Sequence, residues 1–168
     1  MAGNARWQNY PFYNGPCPGN CDDGPDLPLR RSGHRCCGMF MAMLPIAVAA
    51  NGVVPLAPNN PCRNGDFEVN SGMVTLEKAG TYLATFTARM PEGEALDTML
   101  TLNVDDASQT SAITQIAGAG EGTSAYTSQA IFEANEGATV TLRSSGAINV
   151  TQPSTQPMFT LSLVQLEE

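Results

Sequence analysis

In several segments of this 168-residue chain, polar and apolar residues alternate with a period of two. That is the spacing at which successive side chains of a strand pass from one face to the other. Over 81–88, Tyr82, Ala84, Phe86 and Ala88 fall on one side, and Thr81, Leu83, Thr85 and Thr87 on the other. Val140 and Leu142 alternate with Thr139, Thr141 and Arg143, while Phe159, Leu161 and Leu163 alternate with Thr160, Ser162 and, less strictly, Gln165. The pattern predicts extended segments at 39–49, 52–56, 66–70, 73–77, 81–90, 96–104, 111–117, 123–133, 138–145, 147–151 and 158–166. Turn formers separate them at Asn64-Gly65, Ala79-Gly80, Pro91 to Gly93, Asp105-Asp106, Gly118 to Gly122 and Asn135 to Gly137. Nothing in the pattern has a helical period. Many short strands with turns at this spacing predict an all-β antiparallel jelly-roll sandwich of about ten strands over residues 39–168.

Residues 1–38 have no such pattern. Gly15-Pro16, Pro18-Gly19 and Gly24-Pro25 punctuate a stretch without apolar periodicity, so it is expected to form an extended arm. The arm nevertheless gathers Trp7, Tyr10, Phe12 and Tyr13, and a flexible segment rich in large rings is a candidate docking peptide. The other reading has these rings pack back on their own domain.

Charge divides at the same place. The chain is sparing with charged residues, at 14%, and carries a net −8. Residues 1–63 hold five arginines (Arg6, Arg30, Arg31, Arg35, Arg63) against three aspartates (Asp22, Asp23, Asp26), a net of +2. Residues 64–168 hold only Lys78, Arg89 and Arg143 against thirteen acidic groups, a net of −10. Such a balance argues against nucleic acid or an anionic membrane as partner, since both require a basic footprint. It is compatible with one chain's arm docking on another chain's body. An arginine-bearing linker beside a solubilising acidic surface is the plainer alternative. The apolar run from Gly38 to Ala50 is too short to span a bilayer and contains Pro45, so no membrane insertion is expected. Residues 1–14 lack the apolar core of a Sec signal peptide.

The run Ser71 to Ala88, with Ala79-Gly80-Thr81-Tyr82 at its centre, resembles the strand, turn and long strand of tumour-necrosis-factor-like and complement-globular-head jelly rolls. Leu100 to Asp106 sits where that family has a strand ending in a short turn. Ala130 to Leu142 resembles its paired strands around a Gly-containing turn, and Phe159 to Leu166 its closing central strand. The nearest likeness is to the C-terminal domain of bacterial collagen-like exosporium glycoproteins, although no Gly-X-Y stalk precedes the domain here. The resemblance implies a compact homotrimer with apolar residues along its three-fold axis and no catalytic role. Leu161, Leu163 and Leu166 suit either that axis or the core of one subunit. A spore, cell-surface or extracellular location is the matching expectation.

Five cysteines add the most chemistry: Cys17, Cys21, Cys36 and Cys37 in the arm and Cys62 in the Pro-rich loop 57–63. An odd number leaves at least one thiol without a partner in its own chain. Adjacent Cys36 and Cys37 do not easily bridge each other. Intermolecular disulfides, reduced structural thiols and a zinc site built from Cys17, Cys21, His34 and Cys36 are the readings that remain, although the zinc spacing is not a standard one. His34 is the sole histidine, next to Cys36 rather than in a recognisable catalytic setting, so no enzyme activity and no cofactor are expected. Gly118 to Gly122 lacks the strand-to-helix context of a phosphate loop, and Asp105-Asp106 reads as a β-turn before it reads as a calcium site. Asn149-Val150-Thr151 is formally a glycosylation sequon.

These observations favour a structural, self-assembling surface protein whose trimeric heads are linked through the arm. The alternative is a trimeric receptor- or glycan-binding head, such as an adhesin or fibre tip. That reading places contacts in 91–95, 108–110, 118–122 and 151–156.

Overall fold

A computed structural model describes residues 37–59, 66–91, 93–94, 96–117 and 124–167. Among them the secondary structure is strand and turn only. In chain order the strands are β1 (Cys37–Ala42), β2 (Ile46–Val48), β3 (Ala57–Pro58), β4 (Phe67–Asn70), β5 (Met73–Leu76) and β6 (Gly80–Met90). There follow β7 (Asp97–Val104), β8 (Ala107–Ala117), β9 (Ser124–Ala134), β10 (Thr139–Ser144), β11 (Ile148–Val150) and β12 (Phe159–Glu167).

One sheet has the order β3-β1-β12-β6-β9 and a second the order β4-β5-β10-β7-β8, with β11 and β2 forming a separate pair. All pairings are antiparallel, and β1 lies beside β12, so both ends of the described chain meet in the first sheet. Two antiparallel sheets with this interleaved order make a jelly-roll sandwich.

The alternation in the sequence decides which side faces in. Tyr82, Ala84, Phe86, Ala88 and Met90 of β6 are all buried, beside Phe159, Leu161 and Leu163 of β12. Leu100, Leu102, Val140 and Leu142 join the same core from the second sheet. Fully burying one such large side chain stabilises the fold by ~1.5–3 kcal/mol relative to leaving it in water. At one end of the sandwich the rings run Phe40, Phe67, Tyr82, Phe132, with centroids 5.8, 6.4 and 6.0 Å apart. Leu161 and Leu163 therefore belong to the core, and Leu166 is half-buried near the end of β12.

The motif Ala79-Gly80-Thr81-Tyr82 has a local cause. Tyr82 is fully buried, and its hydroxyl donates to the Lys78 carbonyl at 2.7 Å. Gln165 is also buried and donates through Nε2 to the Ala79 carbonyl at 3.0 Å. Gly80 has φ of 151°, and a Cβ there would collide with the Glu167 carbonyl oxygen. Only glycine lets the start of β6 approach the end of β12 this closely.

Several segments differ from the sequence expectation. The apolar run 39–49 is two strands, β1 and β2, with a bend at Leu44-Pro45 between them, because proline has no N–H for a continuing ladder. Segment 52–56 is not a strand; it makes a single bridge between Val53 and Arg143. Ala57 and Pro58 form a short edge strand on β1 where a loop is expected. Residues 108–110 belong to β8, not to a loop, since Asp105 and Asp106 already complete the reversal with φ of 47° and 64°. Positive φ at both central residues marks the tight hairpin turn that suits Asp and Asn. The first strand in chain order, β1, opens at Cys37, inside the range expected to be arm.

Candidate functional site

The outward face of the first sheet has the character of an interaction surface. Residues paired across neighbouring strands share a face, so the register defines its rows. One row runs Cys37, Val164, Leu83, Ile131. The next runs Met39, Ser162, Thr85, Gln129, and a third Met41, Thr160, Thr87, Thr127. No charged side chain occurs in these three rows, although the domain carries most of the chain's acidic groups. Charge returns only at the ends of the face, with Arg89 beyond one end and Glu133 and Glu167 beyond the other.

The first row is the apolar one. Ile131 is 64% exposed and Met39, in the row beside it, 49%. Leu83, Val164, Met41 and Cys37 are half-buried. One threonine pair bonds across strands, the Thr87 and Thr127 hydroxyls lying 3.1 Å apart. Side chains that bond to each other across strands leave little unmet polarity for water to satisfy, and the face loses little when covered.

The second sheet is different. Its outward face carries ion pairs between Arg143 and Asp106 at 2.6 Å, and between Lys78 and Asp66 at 3.0 Å near its edge. Asp105 accepts the Thr139 N–H at 2.8 Å, and Asn103 Nδ2 donates to the Asp106 carbonyl at 3.3 Å. The acidic pair is thus a turn whose carboxylates are engaged by the protein, in agreement with the turn reading. Next to it, Asn103 Oδ1, Thr141 Oγ1 and Arg143 Nε are buried without partners. Thr141→Val keeps the shape, removes an unsatisfied hydroxyl and suits a strand. It is expected to raise stability by about 1 kcal/mol in urea unfolding, whereas a loss of stability would mean that the hydroxyl is bonded after all.

Of the residues singled out in the sequence, Cys37 is placed at the start of β1, half-buried at the end of the apolar row. Trp7, Tyr10, Phe12, Tyr13, Cys17, Cys21, His34, Cys36 and Cys62 lie outside the described residues, as does 118–122. Pro91 and the segment containing Gln152, Ser154 and Gln156 line one pocket of about 240 Å³ with Arg89 and Leu44, so two of the expected contact segments meet. Asn149 is exposed on β11. Among the described residues no group of three or more His, Cys, Asp or Glu side chains is arranged to hold a metal ion. Sequence reasoning missed the uncharged face. Its signal was present in the second half of each alternation, where Leu83, Val164 and Ile131 occupy positions that a solvated face would fill with charge.

Neither a protein-family model nor a curated protein matches the sequence. Solved structures do match. Murine APRIL at pH 8.5 superposes with a TM-score of 0.60 at 15% identity, covering 79% of this chain and 99% of that one. Eiger TNF from S. frugiperda gives 0.60 at 15% identity, covering 79% and 92%. The globular domain of zebrafish complement 1qA gives 0.56 at 13% identity, covering 77% and 94%. At such identities the likeness is one of fold. The chain has the jelly roll shared by tumour-necrosis-factor-like and complement-head domains, as the motifs around Gly80 and Gly137 led one to expect.

Proposed function

We propose that this chain is a structural, self-assembling surface protein, whose jelly-roll heads associate as homotrimers through the first sheet and are joined to neighbours by the N-terminal segment. The observation that carries the reading is the uncharged face of β1, β12, β6 and β9, with Leu83, Val164 and Ile131 as its apolar row. A monomer of this acidity gains nothing by leaving such a face to water, whereas a closed ring of copies covers it and ends growth there. The N-terminal segment supports the second half of the reading, because it combines four clustered aromatics, cysteines and a net positive charge with a domain of opposite sign. The proposal assigns no cofactor. A cell-surface, spore-surface or otherwise extracellular setting is part of the proposal, since it is where cysteine cross-links between chains persist.

Light scattering on the purified chain tests the trimer: the expected mass is three times 17.7 kDa or a multiple of it, and a monomer at working concentration sinks the proposal. The linking role is tested by truncation. Because β1 starts at Cys37 and pairs from there with Val164, the cut that spares the fold ends at Cys36. Chain 37–168, which keeps Cys37 and Cys62 but loses Cys17, Cys21 and Cys36, is expected to remain a folded trimer and to lose higher assembly in electron micrographs. Filaments or sheets persisting after this truncation would exclude the linking role.

A further inference from the structure

We infer that the outward face of the second sheet holds a binding site for a neutral sugar residue, in the pocket between β10, β7 and β8. The pocket arises from a break in register. Thr101 pairs with Ile113 and Asn103 with Ser108, so Leu102 alone faces the four residues 109–112 and β8 departs from β7 there. The opening, about 240 Å³, is lined by Asn51, Thr101, Asn103, Ser108, Arg143 and Ser145 among others. This is below the ~300–1,000 Å³ of sites for drug-sized ligands, and of a size for a single small ring.

The donors and acceptors in it define the ligand. Arg143 starts opposite Thr101 and reaches Asp106 in the turn after β7, so its side chain passes over Asn103. Its Nη2 is committed to Asp106, which balances the charge, while Nε–H lacks a partner. Asn103 is only 8% exposed, with Oδ1 also unpartnered. Buried polar atoms are bonded as a rule, and two of the three unpartnered atoms here, those of Asn103 and Arg143, belong to residues that line the opening, which indicates that something else completes them. A donor next to an acceptor matches a hydroxyl, which is both. Thr101, Ser108 and Ser145 extend the same chemistry along the pocket. An anion fits less well, because the guanidinium is already neutralised by Asp106. On the same face beside Thr101, Ile113 (43% exposed), its cross-strand partner, and Met99 (48%), two residues before it on β7, offer apolar surface to the C–H side of a sugar ring. Both atoms are shielded from solvent here, so sugar binding requires Arg143 to give up its 3.5 Å contact with the Asn51 carbonyl and swing aside while keeping Asp106.

The test is saturation-transfer NMR on the full chain with the methyl glycosides of glucose, galactose, mannose, fucose, rhamnose and N-acetylglucosamine, and competition by inorganic sulfate. Saturable transfer to at least one sugar is expected. Affinity should fall about tenfold in Thr101→Val and again in Ser108→Ala, each of which removes a hydroxyl and leaves the circular dichroism unchanged. Transfer to none of the sugars would mean that the unpartnered groups hold water only. That result, binding unaltered in both variants, or displacement of the sugar by sulfate would each overturn the inference. The trimer proposal concerns the other sheet, so sugar binding should survive disruption of the trimer, and either reading can fail alone.

Discussion

Gly80→Ala is expected to destabilise the domain by about 3 kcal/mol or more, enough to unfold a large fraction of a marginally stable protein. Two costs combine. At φ of 151° an L side chain is strained, by ~1–3 kcal/mol. The added methyl also meets the Glu167 carbonyl and comes within 2.7 Å of Gln165 Nε2, and neither can retreat freely. The carbonyl belongs to the backbone of β12, and Gln165 is held by the Ala79 carbonyl. Displacement of β12 would further loosen Tyr82, whose hydroxyl is tied to Lys78 in the same loop. Gly137→Ala separates the contributions, since its φ is 82° and a Cβ there meets nothing within 4 Å. That variant should lose only ~1 kcal/mol, the ordinary penalty of the left-handed region. Urea unfolding of both chains measures the difference. Equal losses would show that φ alone, and not the approach to β12, dictates glycine at residue 80.

Gly80 also shows why so much of the fold was legible in the residues. A motif that needs glycine, a buried tyrosine and a following long alternation constrains turn, strand and pairing partner together. The alternation in 81–88 and 159–163 therefore predicted both the strands and their buried sides, because a register slip would have moved every large side chain into water. Other parts were not legible, for reasons that are equally local. The split of 39–49 depends on where Pro45 falls relative to pairing partners more than a hundred residues away, Phe159 for Ala42 and Val150 for Ile46. Segment 52–56 looks like a strand by composition, but its bonds to β10 amount to a single bridge at Val53. The start of β8 was hidden because residues 107–111 are small and polar, and the tight Asp105-Asp106 turn, not hydrophobicity, holds them to β7. The uncharged face was hidden by a habit of reading alternation as core against solvent. Threonine and serine satisfy that pattern whether the outer side meets water or another subunit. The unpartnered atoms at Asn103, Thr141 and Arg143 are a property of three strands brought together, and no local signal announces them.

Leu83→Glu is expected to convert the assembly to monomers while leaving the β fold intact. Leu83 is on β6, an interior strand of the first sheet, between Val164 and Ile131, and its side chain points away from the core occupied by Tyr82 and Ala84. In a lone subunit the new carboxylate extends into water and costs little. In a trimer each copy buries one, with apolar neighbours on both sides and no cation in the three central rows to pair with it. The effective penalty for burying an unpaired ion is several kcal/mol. Incurred once per subunit, it shifts the dissociation constant by several powers of ten, at ~1.4 kcal/mol for each tenfold change. Ile131→Glu, on the neighbouring strand, should act in the same direction. Met73→Glu provides the contrast, because Met73 is an exposed apolar residue, 40% accessible, on β5 of the second sheet. That variant should retain the parental mass by light scattering. The reverse outcome, with Met73→Glu dissociating and Leu83→Glu remaining assembled, would place the contact on the second sheet. It would also require the sugar pocket to be reconsidered as part of an interface. Dissociation by Leu83→Glu alone, with an unchanged far-ultraviolet spectrum, locates the association energy in the row from Cys37 to Ile131 and explains why a chain otherwise so acidic keeps this one face free of charge.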